Sequence, residues 1–176
     1  MIEVLTLNDV EMKLAYMIGE YRHLTKANEK RVGSPLTSRQ DEVIGSQGEI
    51  AFAKRMGIYP NVGIAVEPGS PDYTIAGVTV DVKSTKDKHG DHNLVVPMHK
   101  AQKGRCDLYV LVSVSHNVCT FGGFVPGRVV FASQVKNLGW GDCYYVERRN
   151  LQPIGQIMIA AAQLAMLRDQ MSKVPH

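Results

Sequence analysis

The stretch SPDYTIAGVTVDVKST, residues 70–85, decides how the fold is read. Two β-prone runs, Tyr73-Thr74-Ile75 and Val78 to Lys83, flank Ala76-Gly77, and a two-residue connection ending in glycine signals a tight hairpin. If Ile75 faces Val78 across that turn, Thr74 faces Thr79, Tyr73 faces Val80 and Asp72 faces Asp81. Side chains alternate along a strand, so Val78, Val80 and Val82 share one face, and Thr79, Asp81, Lys83 and Thr85 the other. The first is a core face; the second gathers charge.

Directly opposed residues have Cβ atoms roughly 4.5–5.5 Å apart, and like charges so placed repel. A divalent cation between the carboxylates would compensate, because Mg²⁺ takes hard oxygen ligands from one or two carboxylates together with water and phosphate. Lys83 would then stand beside the metal, placed to orient or deprotonate a water and to offset charge on a phosphate. The competing reading is an Asp81–Lys83 pair on a solvated strand face, worth about 0–1 kcal/mol.

A helix over 38–56 precedes the hairpin. SRQDEVIGSQGEIAFAKRMG opens with Ser38 and Asp41 in capping-box spacing, carries Asp41 and Glu42 in its first turn, and stops at Gly57. Glu42 and Glu49 fall on nearly one line, and Gly45, Ser46 and Ala53 are small enough for close approach to a sheet. Glu49 lies among Ile50, Ala51, Phe52 and Ala53, an apolar surrounding that predicts burial rather than a solvated carboxylate.

Glu49 on a helix, then Pro71-Asp72, then Asp81-Val82-Lys83 resembles the PD-(D/E)XK nuclease superfamily. The predicted order agrees: helix 38–56, strand 62–66 (VGIAV), hairpin strands 72–75 and 78–84, a helical turn near 98–104, and strand 107–114 (DLYVLVSV). The resemblance covers residues 38–115. It implies an α/β, restriction-endonuclease-like αβββαβ core, a mixed central sheet flanked by helices. It also implies that Asp72 and Asp81 bind Mg²⁺ or Mn²⁺, with the backbone carbonyl of Val82 as a further ligand. Lys83 would be the catalytic lysine and Glu49 would complete the metal site. Asp81 stands where many members carry Glu, a shorter arm. Many members cut DNA, others cut RNA, and some have lost activity, so the fold does not set the substrate. The expectation is a Mg²⁺-dependent deoxyribonuclease, foremost an endonuclease of the stand-alone kind found in phages and mobile elements. A junction resolvase, an exonuclease and a catalytically silent nucleic-acid-binding module are the alternatives.

The chain of 176 residues, 44 % hydrophobic, fits a single domain over 1–176. Three cysteines (Cys106, Cys119, Cys143) without a CxxC pair speak against a disulfide framework or zinc cluster and suggest a reducing compartment. MIEVLTLNDV lacks a signal peptide's basic start and apolar core, and no apolar run is long enough to span a membrane, so a cytoplasmic protein is expected; the resemblance implies a bacterial or phage-infected cell.

A net charge of +3 does not argue nucleic-acid binding; local clusters do better. Lys86 and Lys88 follow the hairpin in STKDKHGDHN, where they could contact phosphates beside the scissile bond; a solvated loop explains them equally. Lys26, Lys30 and Arg31 close the first helix and complement its dipole without any ligand. His89 and His92 lack clustered partners for a transition metal and read as loop residues. Lys100 and Gln102, with His99, follow a strand-like NLVVP and are placed towards the site's edge. FGGFVPG (121–127) lacks a Walker ending and reads as a bend between strands.

Outside the core, residues 8–31 predict a helix, with Asn8 and Glu11 as a capping box and Val10, Leu14, Met17, Tyr21 and Leu24 as a core-facing stripe. Strands are expected near 128–132 and 143–147, then an apolar helix over 153–171. That last helix covers a sheet face or, if it stays exposed, forms a homodimer interface suited to cutting two strands.

Overall fold

The computed structural model describes residues 2–26, 39–62, 70–86 and 92–173 of the chain. It is an α/β protein. The described order is β1 (Glu3–Thr6), α1 (Asp9–Lys26), α2 (Arg39–Met56), β2 (Tyr73–Ile75), β3 (Val78–Lys86), β4 (Leu94–Pro97), α3 (Met98–Ala101), β5 (Leu108–Ser115), β6 (Val118–Pro126), α4 (Gly127–Phe131), β7 (Gln134–Asn137), β8 (Asp142–Val146) and α5 (Ile157–Ser172).

The hairpin has the expected register, Tyr73↔Val80, Thr74↔Thr79 and Ile75↔Val78. Its turn places both Ala76 (φ 50°) and Gly77 (φ 76°) in the left-handed region, the geometry that matches the twist of a two-residue hairpin. A mixed five-stranded sheet runs β1-β6-β5-β3-β2, antiparallel except for the parallel pair β3 and β5. The crossover between those two passes through β4 and α3.

β5 is apolar almost without interruption because both its faces are covered. Leu108, Val110, Val112 and Val114 join Val78, Val80 and Val82 under Ile50, Phe52 and Ala53 of α2. Tyr109 and Leu111 pack with Leu94, Val96 and Val146 of a second, three-stranded sheet, β4-β8-β7.

Close approach of α2 to the sheet is set by a glycine the sequence reading passed over. A Cβ on Gly48 would lie 1.9 Å from Ser84 Oγ, whereas one on Gly45 would meet nothing within 4 Å. Ser84 Oγ instead donates to the Gly45 carbonyl at 3.4 Å. Gly57 ends the helix at φ 65°, as its position predicts. Asn8 and Glu11 form the predicted reciprocal cap, each side chain accepting the other's amide, at 2.9 and 2.7 Å.

Several expectations are corrected. Most of the apolar stripe of α1 does not face the core: Val10, Met17 and Leu24 are 74, 67 and 65 % exposed and Tyr21 is exposed too, while Leu14 packs half-buried against the core. α1 meets α2 through Ala15, Ile18, Gly19 and Arg22, and a Cβ on Gly19 would lie 2.7 Å from Val43. Gly19 stands where the helices come closest, with no room for a side chain over Val43, and Ile18 and Arg22 are buried on the same face. Residues 128–132 are not a strand; Pro126 ends β6 and the Gly127 amide donates to the Asp107 carbonyl at 2.7 Å, opening the short helix α4. FGGFVPG is not a bend between strands but lies within β6, except for Gly127. The pairing passes from Leu111↔Gly123 to Val112↔Phe121, so Gly122 is the extra residue of a bulge. β1 and β7 complete the two sheets without having been foreseen. The final helix begins with a 3₁₀ turn, Ile154–Gln156, and α5 seats Ile157 and Ala161 in the core.

The expected strand 62–66 lies, except for Val62, outside the described residues. So do Lys88, His89, Lys30, Arg31 and Ser38. No helix among the described residues is long and apolar enough to cross a membrane.

Candidate functional site

Asp81 and Lys83 sit on the face of β3 opposite Val80 and Val82, as alternation requires. Lys83 Nζ bonds Asp81 Oδ1, and both side chains are partly exposed. Burial alone would lower the Lys83 pKa, but Asp81 and Asp72 more than reverse this, so the net shift is upward. The ammonium stays charged and can stabilise negative charge rather than accept a proton.

Asp72 lies one residue before β2, at the open end of the hairpin. Its Oδ2 accepts the Val82 amide at 2.7 Å, while Asn61 Nδ2 donates to its backbone carbonyl at 3.1 Å. Burial raises the Asp72 pKa most, the Glu49 and Asp81 charges add to it, and Lys83 and the Val82 amide offset only part. The carboxyl is pushed up to about 8. Asp72 is therefore the group that feels both other carboxylates.

Glu49 arrives from the helix side of the sheet and is buried, 7 % exposed, as its apolar surroundings predict. Tyr73 Oη donates to the Glu49 carbonyl at 2.8 Å, pinning the hairpin to α2. The Glu49 carboxylate accepts a two-bond fork from Arg22 Nη1 and Nη2, at 2.6 and 2.8 Å. Nothing in the sequence reading pointed to Arg22. The signal was there: Ala15, Ile18, Gly19 and Arg22 recur at helical spacing, which puts the arginine on one face with small and apolar residues, where burial requires a partner.

Glu49, Asp72, Asp81, Arg22 and Lys83 thus form one ionic group, three carboxylates against two cations. Cys106 shares its field: burial first, then Asp81 and Asp72, push the thiol up to about 12, leaving it neutral. Aspartate and glutamate oxygens with a strand carbonyl are the donor chemistry of Mg²⁺ or Mn²⁺. In their present arrangement Arg22 takes Glu49, Lys83 takes Asp81 and the Val82 amide takes Asp72. No three His, Cys, Asp or Glu side chains among the described residues are gathered to hold a metal ion. The donor types fit; their convergence needs at least one of these contacts to open.

Lys86 ends β3 with its side chain exposed, and Lys100 and Gln102 are exposed at the end of α3. The end of α3 is positive: burial first, then Lys100 and Lys103, lower the pKa of His99. Asp107, at the start of β5, is structural. It accepts the Thr79 amide and hydroxyl at 2.8 and 2.7 Å and pairs with Arg168 of α5, which also donates to the Gly77 carbonyl at 3.0 Å.

Compared with protein-family models, curated proteins and solved structures, the chain matches none of them.

Proposed function

We propose that the chain is a metal-dependent nuclease of the PD-(D/E)XK type, acting on DNA phosphodiesters as an endonuclease. The observation that carries this reading is one ionic group in which Glu49 and Asp81 both act on the Asp72 carboxyl and Lys83 bonds Asp81. The helix, hairpin and parallel β3–β5 pair occur in the order of the restriction-endonuclease-like core, which supports the same reading.

Asp72 and Asp81 would hold the ion, with the Val82 carbonyl as a further ligand and Glu49 completing the set. When bound, Mg²⁺ or Mn²⁺ supplies a Lewis acid that lowers the pKa of a water. Lys83 orients that water and stabilises the charge developing on the phosphate. The water oxygen bonds to phosphorus in line as the opposite P–O bond breaks; the water loses its proton and the leaving oxygen gains one. Lys86, Lys100 and Gln102 contact flanking phosphates. A second copy of the chain, covering the exposed Met166, Leu167 and Met171 of α5, would give a homodimer able to cut two strands.

The test is cleavage of supercoiled plasmid, linear duplex, single strands, a four-way junction and RNA, in Mg²⁺ or Mn²⁺ against EDTA. Cutting that needs metal and disappears in Asp81→Ala and Lys83→Ala establishes the activity and its substrate. Metal binding without cutting favours a silent binding module; neither binding nor cutting returns Asp81 and Lys83 to an ordinary surface pair.

A further inference from the structure

Arg22 belongs to α1, outside the elements that carry the metal-binding motif, yet it is buried, 9 % exposed, with both terminal nitrogens on Glu49. Its Nε has no hydrogen-bond partner among the described residues. The close α1–α2 contact at Gly19 and Val43 delivers it there.

A guanidinium fork takes one lone pair on each oxygen of a carboxylate, so a hard divalent cation on Glu49 would have to share it with a buried positive charge. In a site shielded from water, a dication and a guanidinium on the same carboxylate also repel strongly. An empty, unpaired Glu49 would in turn carry the cost of an uncompensated buried charge. We infer that Arg22 is the built-in counterion of the metal-free site: its fork on Glu49 and a divalent cation on Glu49 exclude one another, so loading the site displaces the guanidinium. The inference rests on the metal-dependent reading above and adds the residue that regulates loading.

The test compares wild type, Arg22→Gln and Arg22→Lys by urea unfolding in EDTA and in saturating Mg²⁺, with calorimetric titration of Mg²⁺, all in mildly alkaline buffer. Both substitutions should destabilise the chain in EDTA, and the loss should shrink in Mg²⁺. By linkage, Mg²⁺ should then bind Arg22→Gln about tenfold tighter than wild type or better. If Arg22→Gln folds only when Mg²⁺ is added, that too supports exclusion; if it never folds, Arg22→Lys, which keeps a cation but not the fork, decides by the same comparison. An equal loss with and without Mg²⁺, or weaker Mg²⁺ binding by the variants, overturns the inference and makes Arg22 a support of the site. Wild type that binds no Mg²⁺, like Asp81→Asn, overturns the nuclease reading along with it.

Discussion

The Asp72 carboxylate accepts the Val82 amide at 2.7 Å, tying the residue before β2 to the middle of β3. That bond keeps a poorly neutralised carboxyl at the mouth of the hairpin, where burial, Glu49 and Asp81 raise its pKa to about 8. Between an ordinary aspartate value of 3.8 and about 8, the folded chain holds a proton that the unfolded chain has released. Stability from this group is therefore lost as pH rises through that window. Asp72→Asn, which still offers an oxygen to Val82, should flatten the decline and exceed wild type in stability above the window. Urea unfolding across the range in EDTA checks this; an unchanged slope would place the raised pKa elsewhere. Wild-type Mg²⁺ affinity should rise over the same range, because binding must expel the proton.

Asp81→Ala and Lys83→Ala separate chemistry from stability. The Asp81 and Lys83 side chains are only 19 and 22 % exposed, between a surface pair and a buried one, so each substitution should cost about 1–3 kcal/mol. Loss of Lys83 should lower cleavage by about 10²–10³-fold, the scale of removing one group that stabilises transition-state charge. Thermal melting beside kcat measurement reads both. A large drop in stability in either variant would show that the pair serves the fold.

Gly48 is where α2 touches the sheet most closely. Gly48→Ala drives a methyl into Ser84 Oγ and should destabilise by about 1–3 kcal/mol, the usual cost of overpacking. Pairing it with Ser84→Ala removes the 1.9 Å contact and leaves the Ser84 Cβ at 3.0 Å, so part of the loss should return. A double-mutant cycle without coupling would refute this contact.

The face of α1 can be tested directly. Met17→Lys and Leu24→Lys, both on the exposed side, should change stability by no more than about 0.5 kcal/mol. Ile18→Ala, on the buried side, should cost about 2–5 kcal/mol. The reverse pattern in chemical denaturation would restore the apolar stripe to the core.

Features of this chain that depend on near neighbours in sequence differ from those that depend on distant ones. The hairpin register, the Asn8–Glu11 cap, the Gly57 stop and the apolar β5 were legible because each depends on neighbours a few residues away. Turn geometry, capping distance and strand alternation are local physics. The positions of Glu49, Asp72, Asp81 and Lys83 on one helix and one hairpin follow from the same local physics.

What the sequence by itself determined is the helix α2, the β2–β3 hairpin with its register, the strand β5, and the placement of Asp72, Asp81 and Lys83 at one hairpin. Only the tertiary structure decided which face of α1 is buried, that Gly48 rather than Gly45 admits the sheet, and that Arg22 reaches Glu49 from 27 residues away. Hydrophobicity said that α1 should bury Met17 and Leu24. Packing chose Ala15, Ile18 and Gly19 instead, because Val43 of α2 leaves no room for a side chain at Gly19, and that face carries Arg22 inward. A one-dimensional pattern carries periodicity but not the distance between two helices, and here that distance placed Arg22 on Glu49.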